Sequence, residues 1–320
     1  MRVARPSAPE LLVTRGLTPR VPGPVALTIG NFDGVHRGHQ AMLARLIAAA
    51  RERRLVAAVL TFEPHPRELF TPRAAPTRLT SLREKLELLA AHGVDHVHVQ
   101  CFSHAFAALA PDAFVDRLLV AALRTRWVLV GDDFRFGANR AGDVALLAAA
   151  ARRHGFELEP MPTVTEGGAR VSSSAVRDAL ARGDLARARE LLGRAYSISG
   201  RVVQGDRLGR RLGFATANVQ LKHNRPPLTG IFAVRVDGAA EAPRNGVASL
   251  GVRPTVRADG KPTLEVHLFD FAADLYGRHL RVEFLAKIRD EARYPDLDAL
   301  KAQIARDCDA ARALLTDEVR

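Results

Sequence analysis

Two periodicities alternate over residues 1–190. Apolar runs at Val25–Ile29, Leu55–Phe62, Val94–Phe102, Trp127–Val130 and Phe156–Val164 have strand length and end in turn residues. Between them, Gln40–Arg53, Leu82–His92, Pro111–Leu123 and Val144–His154 are of helical character. Strands alternating with helices predict an α/β domain, a doubly wound parallel sheet covered on both faces. Leu185–Leu192 reads as the last helix of this half and Gly193–Ser197 as a short linker. From about Tyr196 the texture changes. Short β-rich pieces at Ser197–Val203, Ile231–Val236, Gly246–Leu250, Leu264–Phe271 and Leu280–Ile288, punctuated by Gly turns, predict a small antiparallel β-barrel. Leu297–Leu315 closes the chain as an amphipathic C-terminal helix, with Leu297, Leu300, Ile304, Ala311 and Leu314 inward. The pattern divides the chain into domains 1–190 and 196–320, without an internal repeat.

Composition narrows the class. At 320 residues the chain is long enough for two cored domains. Its 47% hydrophobic and 26% charged residues are ordinary for a soluble globular protein. No apolar run reaches the roughly 20 residues a membrane span needs. Met1–Arg20 lacks a signal-peptide pattern, and Pro6, Pro9 and Pro19 argue against an amphipathic targeting helix. Cys101 and Cys308 make no disulfide framework, which suits a reducing cytoplasm. The net charge of +12 comes from arginines spread among acids, with no basic block interleaved with aromatics. Such a diffuse positive field suits anionic nucleotides better than nucleic acid.

Chemistry gathers where strands end. Ala26–His39 reads ALTIGNFDGVHRGH: a strand, a turn from Gly30 through Asn31, Phe32 and Asp33 to Gly34, then His36 and His39 at a helix start. Unpaired N–H groups at a helix N-terminus attract anions, and Gly34 and Gly38 let a phosphate approach the backbone. Three residues apart, the histidines face the same way on a first turn. Their spacing also suits zinc, but no cysteine or carboxylate pair stands nearby to complete a shell. Capping or solvation alone would account for a single histidine. Three more strand ends carry motifs: TFEPHP at Thr61–Pro66, VGDDFRFG at Val130–Gly137, and Ser172, Ser173 and Ser174 with Arg177 one turn on. Ligands of such sheets bind at the carboxyl ends of the strands. The serine run is either a second phosphate site or an ordinary capped helix.

The second half has its own set. From Gly205 the chain reads GDRLGRRLG, a Gly-rich basic loop (Gly205, Gly209, Arg210, Gly213) suited to cradling phosphates, and continues FATAN to Asn218. It is no P-loop, since no Gly-Lys-Ser/Thr follows, and the other protein-kinase elements are missing. Downstream stand GVRPT with Arg253, LEVHLFDF with Glu265, and Leu275-Tyr276-Gly277. By period-2 reading Glu265 is a charge on a solvated strand face.

Together these motifs carry a resemblance that covers essentially the whole chain. HxGH, FxPHP, VGxDFxFG and the serines before Arg177 resemble, in order, the FMN adenylyltransferase domain of bacterial bifunctional riboflavin kinase/FAD synthetases, a Rossmann-like nucleotidyltransferase fold. The Gly loop, TAN, RPT and EVH resemble the riboflavin kinase domain of the same family. The resemblance implies that ATP phosphorylates riboflavin to FMN and a second ATP adenylylates FMN to FAD, with pyrophosphate leaving and Mg²⁺ required. It implies small-molecule partners only, no nucleic acid or membrane, and a cytoplasmic monomer or weak homo-oligomer. In the kinase it makes Glu265 the base, gives Mg²⁺ and phosphates to Thr216 and Asn218, wraps the phosphates in Gly205, Gly209, Arg210 and Gly213, and sets Arg253, Arg289 and Glu291 beside the flavin. In the adenylyltransferase it makes His36 and His39 stabilise phosphate charge. Gly30, Asn31, Phe32, Gly34, Gly38 and Asp133 then bind the nucleotide, and Ser172, Ser173, Ser174 and Arg177 take pyrophosphate.

Two positions depart from the family pattern. Ala215 stands where Phe-Pro-Thr-Ala-Asn has proline, which loosens the loop by about 0.4–1 kcal/mol. Ser174 replaces a threonine and keeps its hydroxyl. A single-reaction adenylyltransferase with a barrel that only binds, and a non-enzymatic flavin-binding regulator, are the other readings. The products formed from riboflavin, ATP and Mg²⁺ separate all three.

Overall fold

The computed structural model describes residues 2–5, 8–16, 21–166, 168–205, 209, 212–222, 225–252 and 262–317. Arg210 and Arg253 lie outside the described residues. The chain divides into two compact units, Met1–Pro76 with Leu82–Ser172, and Thr77–Ser81 with Ser173–Arg320. Among the described residues no helix is long and apolar enough to cross a membrane.

In the first unit, β1 (Arg2–Arg5), β2 (Ala8–Arg15), β3 (Val25–Ile29), β4 (Val56–Glu63), β5 (His96–Cys101), β6 (Thr125–Gly131) and β7 (Glu157–Met161) form one sheet, ordered β1-β2-β5-β4-β3-β6-β7. β2 to β7 run parallel, and β1 is an antiparallel edge. A small hairpin pairs β8 (Thr165–Glu166) with β9 (Ala169–Arg170). The helices are α1 (Arg37–Arg53), α2 (Pro66–Phe70), α3 (Leu82–Ala91), α4 (His104–Ala107), α5 (Pro111–Phe114), which runs on as π-helix over Val115–Ala122, and α6 (Val144–His154).

β3 is buried throughout, Thr28 included, because both of its faces are covered. Ala26 packs with Leu43 and Leu46 of α1 and Leu86 and Leu89 of α3. Val25, Leu27 and Ile29 pack with Leu118, Leu119 and Leu147 on the opposite side. Each such leucine contributes about 1.5–3 kcal/mol by leaving water. β3 lies between β4 and β6, and the chain leaves toward β4 and returns later to β6. The crevice outside the carboxyl ends of β3 and β6 is therefore the topological switch point, where ligands of such sheets bind. The doubly wound α/β expectation holds, with one addition: the sequence reading foresaw no strand before Val25.

In the second unit, α7 (Ser173–Ala181) and α8 (Leu185–Leu192) precede β10 (Tyr196–Val203), β11 (Ala217–Val219), β12 (Gly230–Asp237), β13 (Arg244–Val252), β14 (Pro262–Leu268) and β15 (His279–Arg289). These six strands close an antiparallel barrel, ordered β10-β11-β14-β13-β12-β15. α8 packs on β10 and β15. The C-terminal helix α9 (Leu297–Asp317) lies on the outside of β12, β13 and β15. Its Ile304, Cys308, Ala311 and Leu315 meet Ile231, Ala233, Val247 and Phe214. Leu297 and Leu314, expected inward, are instead 50% and 41% exposed. The buried stripe steps 304, 308, 311, 315, and Leu314 sits one residue, about 100°, away from it.

Candidate active sites

From Ile29 the chain turns through Gly30–Val35 into α1. Phe32, Gly34 and Val35 all have positive φ, at 48°, 82° and 41°. A β-branched residue such as Val35 is strained there by about 1–3 kcal/mol, so the surrounding structure must impose the turn. Phe32 is fully buried, its ring 4.8 Å from that of His39. α1 begins at Arg37, three residues before the expected Gln40, because His36 caps it: the His39 amide donates to His36 Nδ1 at 3.4 Å. His36 Nδ1 therefore accepts, and Nε2 is the ring's donor. The two rings stack, centroids 3.7 Å apart and 18° from parallel, with Gly38 close against the His36 ring.

Burial first, then His36 and Lys85, hold the pKa of His39 well below the usual 6.5. His39 is thus neutral at pH 7. Its Nδ1 and the Asn31 Oδ1 are buried without a hydrogen-bond partner. Buried polar atoms are normally satisfied, so two orphans beside one helix N-terminus fit a site that a polar ligand completes. No acidic side chain occupies the first turn of α1 to compete for that end.

Lys85 was not legible beforehand, because Glu84-Lys85 in a helical stretch reads as a solvated face. α3 carries it inward to 5% exposure. Its Nζ donates to Thr61 Oγ1 at 3.4 Å, and Thr61 donates to the Asn31 carbonyl at 3.2 Å. At the end of β6, Asp133 accepts from Arg170 of β9 at 2.8 Å. Ser172 ends the first unit, whereas Ser173, Ser174 and Arg177 belong to α7 in the second. There Arg177 Nε donates to the Thr77 carbonyl at 2.6 Å.

A cavity of about 1040 Å³ opens in the first unit. Asn31 is on its wall with Phe62, Phe70, Phe102, Phe106, Phe134 and Phe136, and Arg67 and Arg135 add charge. His65 of the FxPHP motif also lines it and caps α2, accepting from the Arg67 amide at 3.2 Å. The sequence singled out the motif but not the cluster, since these phenylalanines come from strand ends and short helices spread between Phe62 and Phe136.

On the barrel, β11 pairs Asn218 with Glu265 of β14, and β13 pairs Ser249 with the same Glu265. Directly opposed residues carry their side chains on one face, Cβ atoms about 4.5–5.5 Å apart. Their neighbours Leu264, Val266, Ala217 and Val219 are buried, while Glu265, Asn218 and Ser249 are half-exposed. The solvated face and the candidate catalytic face are thus one and the same. Ser249 escaped sequence reasoning because only the register brings it there.

Thr216 stands two residues before Asn218, on the same side of an extended chain. A Cβ at Gly205 would lie 2.5 Å from Asn218 Oδ1, and one at Gly209 would lie 3.1 Å from Thr216 Oγ1. Gly205 makes room for the Asn218 side-chain amide, and Gly209 for the Phe214 carbonyl first and the Thr216 hydroxyl second. The Phe214 amide donates to the Gly209 carbonyl at 2.8 Å, which folds the loop back, with Gly213 inside the reversal. His267 Nδ1 donates to the Ala215 carbonyl at 2.8 Å. Where β15 ends, Arg289 grips Asp307 of α9 through two bonds of 2.8 and 2.6 Å, which raise its pKa. The Glu291 carboxylate lies directly against Gly251.

Among the described residues no group of three or more His, Cys, Asp or Glu could hold a metal. The oxygens of Thr216 and Asn218 over a glycine cradle still fit Mg²⁺, a hard cation that brings waters and substrate phosphates as its other ligands.

A switch-point crevice with a histidine-capped helix, and a barrel face with a carboxylate beside a glycine loop, define a transferase that handles nucleotides at two sites. The FAD synthetase family model matches residues 18–175, and the riboflavin kinase model matches residues 192–315. The chain is 55% identical over 281 residues to the bifunctional riboflavin kinase/FMN adenylyltransferase of Escherichia coli (strain K12), covering 88% of this chain and 90% of the relative. It is 51% identical over 298 residues to the enzyme of the same description from Pseudomonas fluorescens, covering 93% and 95%. A crystal structure titled as a macrolide-efflux protein from Streptococcus pneumoniae has a TM-score of 0.79 at 27% identity, covering 94% of this chain and 99% of that one. This chain belongs to the bifunctional riboflavin kinase/FMN adenylyltransferase family. It is an enzyme of flavin-cofactor synthesis, a kinase and a nucleotidyltransferase in one polypeptide.

Proposed function

We propose that residues 196–320 phosphorylate riboflavin to FMN and residues 1–190 adenylylate FMN to FAD, with ATP as donor in both steps. The cross-strand pair Asn218–Glu265 beside Gly205 and Gly209 is the observation that carries the kinase assignment. Glu265 takes the proton of the riboflavin 5′-hydroxyl as that oxygen bonds to the γ-phosphorus. The bond from the γ-phosphorus to the β-phosphate oxygen breaks, and ADP leaves. Such a reaction asks the protein mainly for position and charge. Thr216 and Asn218 would hold Mg²⁺, which when bound neutralises phosphate charge. The backbone of Gly205, Gly209, Arg210 and Gly213 surrounds the phosphates, and Arg253, Arg289 and Glu291 border the flavin.

In the second reaction an FMN phosphate oxygen bonds to the α-phosphorus of ATP, and the bond to the β-phosphate breaks. His36 through Nε2–H, and His39 as a neutral ring, donate to phosphate oxygens as they gain charge. Gly30, Asn31, Gly34, Gly38 and Asp133 bind the nucleotide, with Phe32 as the floor under His39. Ser172, Ser173, Ser174 and Arg177 receive pyrophosphate. The phenylalanine-lined cavity suits a flat aromatic ring, and the isoalloxazine of FMN is such a ring. Its partners are small molecules only, without nucleic acid or membrane, in a cytoplasmic monomer or weak homo-oligomer.

The full chain, given riboflavin, ATP and Mg²⁺, is expected to form FMN and then FAD, read by chromatography. Glu265→Gln should stop FMN formation yet still convert supplied FMN to FAD. A Glu265→Gln protein that makes FMN at the normal rate would remove Glu265 as the base.

A further inference from the structure

We infer that His267 is a positioning residue of the kinase site, holding the Ala215 carbonyl so that Thr216 meets Mg-ATP in one geometry. The inference rests on the assignment of Thr216 to the nucleotide. His267 lies two residues beyond Glu265 on β14, so both side chains leave the same face of the strand. The ladder between β11 and β14 begins at the pair Ala217–Val266. One step further out it would oppose Thr216 to His267, but no strand pairing is made there. The His267 ring takes over that role, reaching the carbonyl of the next residue, Ala215, at 2.8 Å. A carbonyl only accepts, so Nδ1 carries the proton.

The ring is itself fixed. Phe214 stands edge-on to it at 5.6 Å and 85°, and Phe269 at 6.0 Å and 72°. Phe214 belongs to the apolar cluster under α9, so it cannot swing away without opening that core. The segment before Thr216 is therefore gripped twice, by the Phe214 amide on Gly209 and by the Ala215 carbonyl on His267. Thr216 Oγ1 is held close over Gly209 between these two grips. β14 thus carries both the candidate base and the group that sets the distance from that base to the nucleotide loop.

The test is steady-state riboflavin kinase kinetics on the full chain. His267→Ala should raise the KM for Mg-ATP by roughly three- to tenfold, the loss of one hydrogen bond, with the riboflavin KM and the conversion of supplied FMN to FAD unchanged. His267→Asn, whose Nδ2–H falls near the position of Nδ1–H, should restore the KM to within about twofold, while His267→Gln should not. If the alanine protein fails to fold, the Asn/Gln contrast decides, because both are polar amides and only Asn puts a donor in the right place. A wild-type ATP KM in His267→Ala, or equal impairment in the Asn and Gln proteins, would overturn the inference. Thr216→Val is measured alongside. If it leaves the ATP KM unchanged, the assignment of Thr216 is wrong. If it raises that KM while His267→Ala does not, only the role of His267 is wrong.

Discussion

The fold keeps the His39 ring from becoming a cation. A protonated ring would sit 3.7 Å from a second imidazole, out of water and near Lys85. On the proposed assignment the histidine pair thus offers oriented N–H groups and leaves net charge to its surroundings. His36→Ala should reduce FAD formation by about 10²–10³-fold, the usual effect of losing one oriented donor, and spare FMN formation. Lys85→Met removes one of the three influences that depress His39, so the His39 pKa should rise toward 6.5. The acid limb of the FAD-forming pH–rate profile should then move to higher pH, and an unmoved limb would show that Lys85 does not face the ring. The histidines were legible because Gly-rich turn chemistry brackets them. Lys85 was not, since nothing in a lone Glu-Lys pair says that its helix face turns inward.

The strands that the sequence hid are either short or masked by proline and charge. β11 has three residues, too few for any period to register, yet it brings Asn218 opposite Glu265. β2 carries the alternation Leu11 and Val13, but Pro9 and the surrounding arginines obscure it. The start of α1 lies three residues early for a similar reason: apolar periodicity begins only where a helix meets the core, and its cap His36 lies outside it. The Phe214–Asn218 segment also bears the departure at Ala215. Restoring a ring with Ala215→Pro should order the segment by about 0.4–1 kcal/mol and lower the ATP KM roughly two- to fivefold, while its carbonyl can still accept from His267. An unchanged KM would mean that the existing bonds already immobilise it.

At the scale of the molecule, the two architectures followed from a change of period near Tyr196, and pairing then closed each as anticipated. The first unit also buries a polar chain between β2 and β5. His96 Nε2 donates to Thr14 Oγ1 at 2.7 Å, Thr14 to His98 Nδ1 at 3.0 Å, and His98 Nε2 to Gln100 Oε1 at 3.3 Å. Burial lowers the pKa of His98, and burial together with the neighbouring His98 takes His96 down to about 4. Unfolded, the same ring titrates near 6.5, so between these values the unfolded chain binds the extra proton. Stability should therefore be full above about pH 6.5 and fall on acidification, by about 2 kcal/mol from His96 at pH 5. Denaturant midpoints at pH 7 and pH 5 would measure it, and His96→Leu should flatten the difference.

Thr77–Ser81 has a genetic consequence. This short excursion lies inside the stretch matched to FAD synthetase, yet it packs with α7 of the second unit. A crossover at Ser173 would inherit α7 but leave behind the Thr77 carbonyl that Arg177 grips. One at Tyr196 would leave β10 and β15 stripped of α8. A crossover at either point would thus break a contact that the fold makes, a constraint that favours inheriting both halves as one cistron.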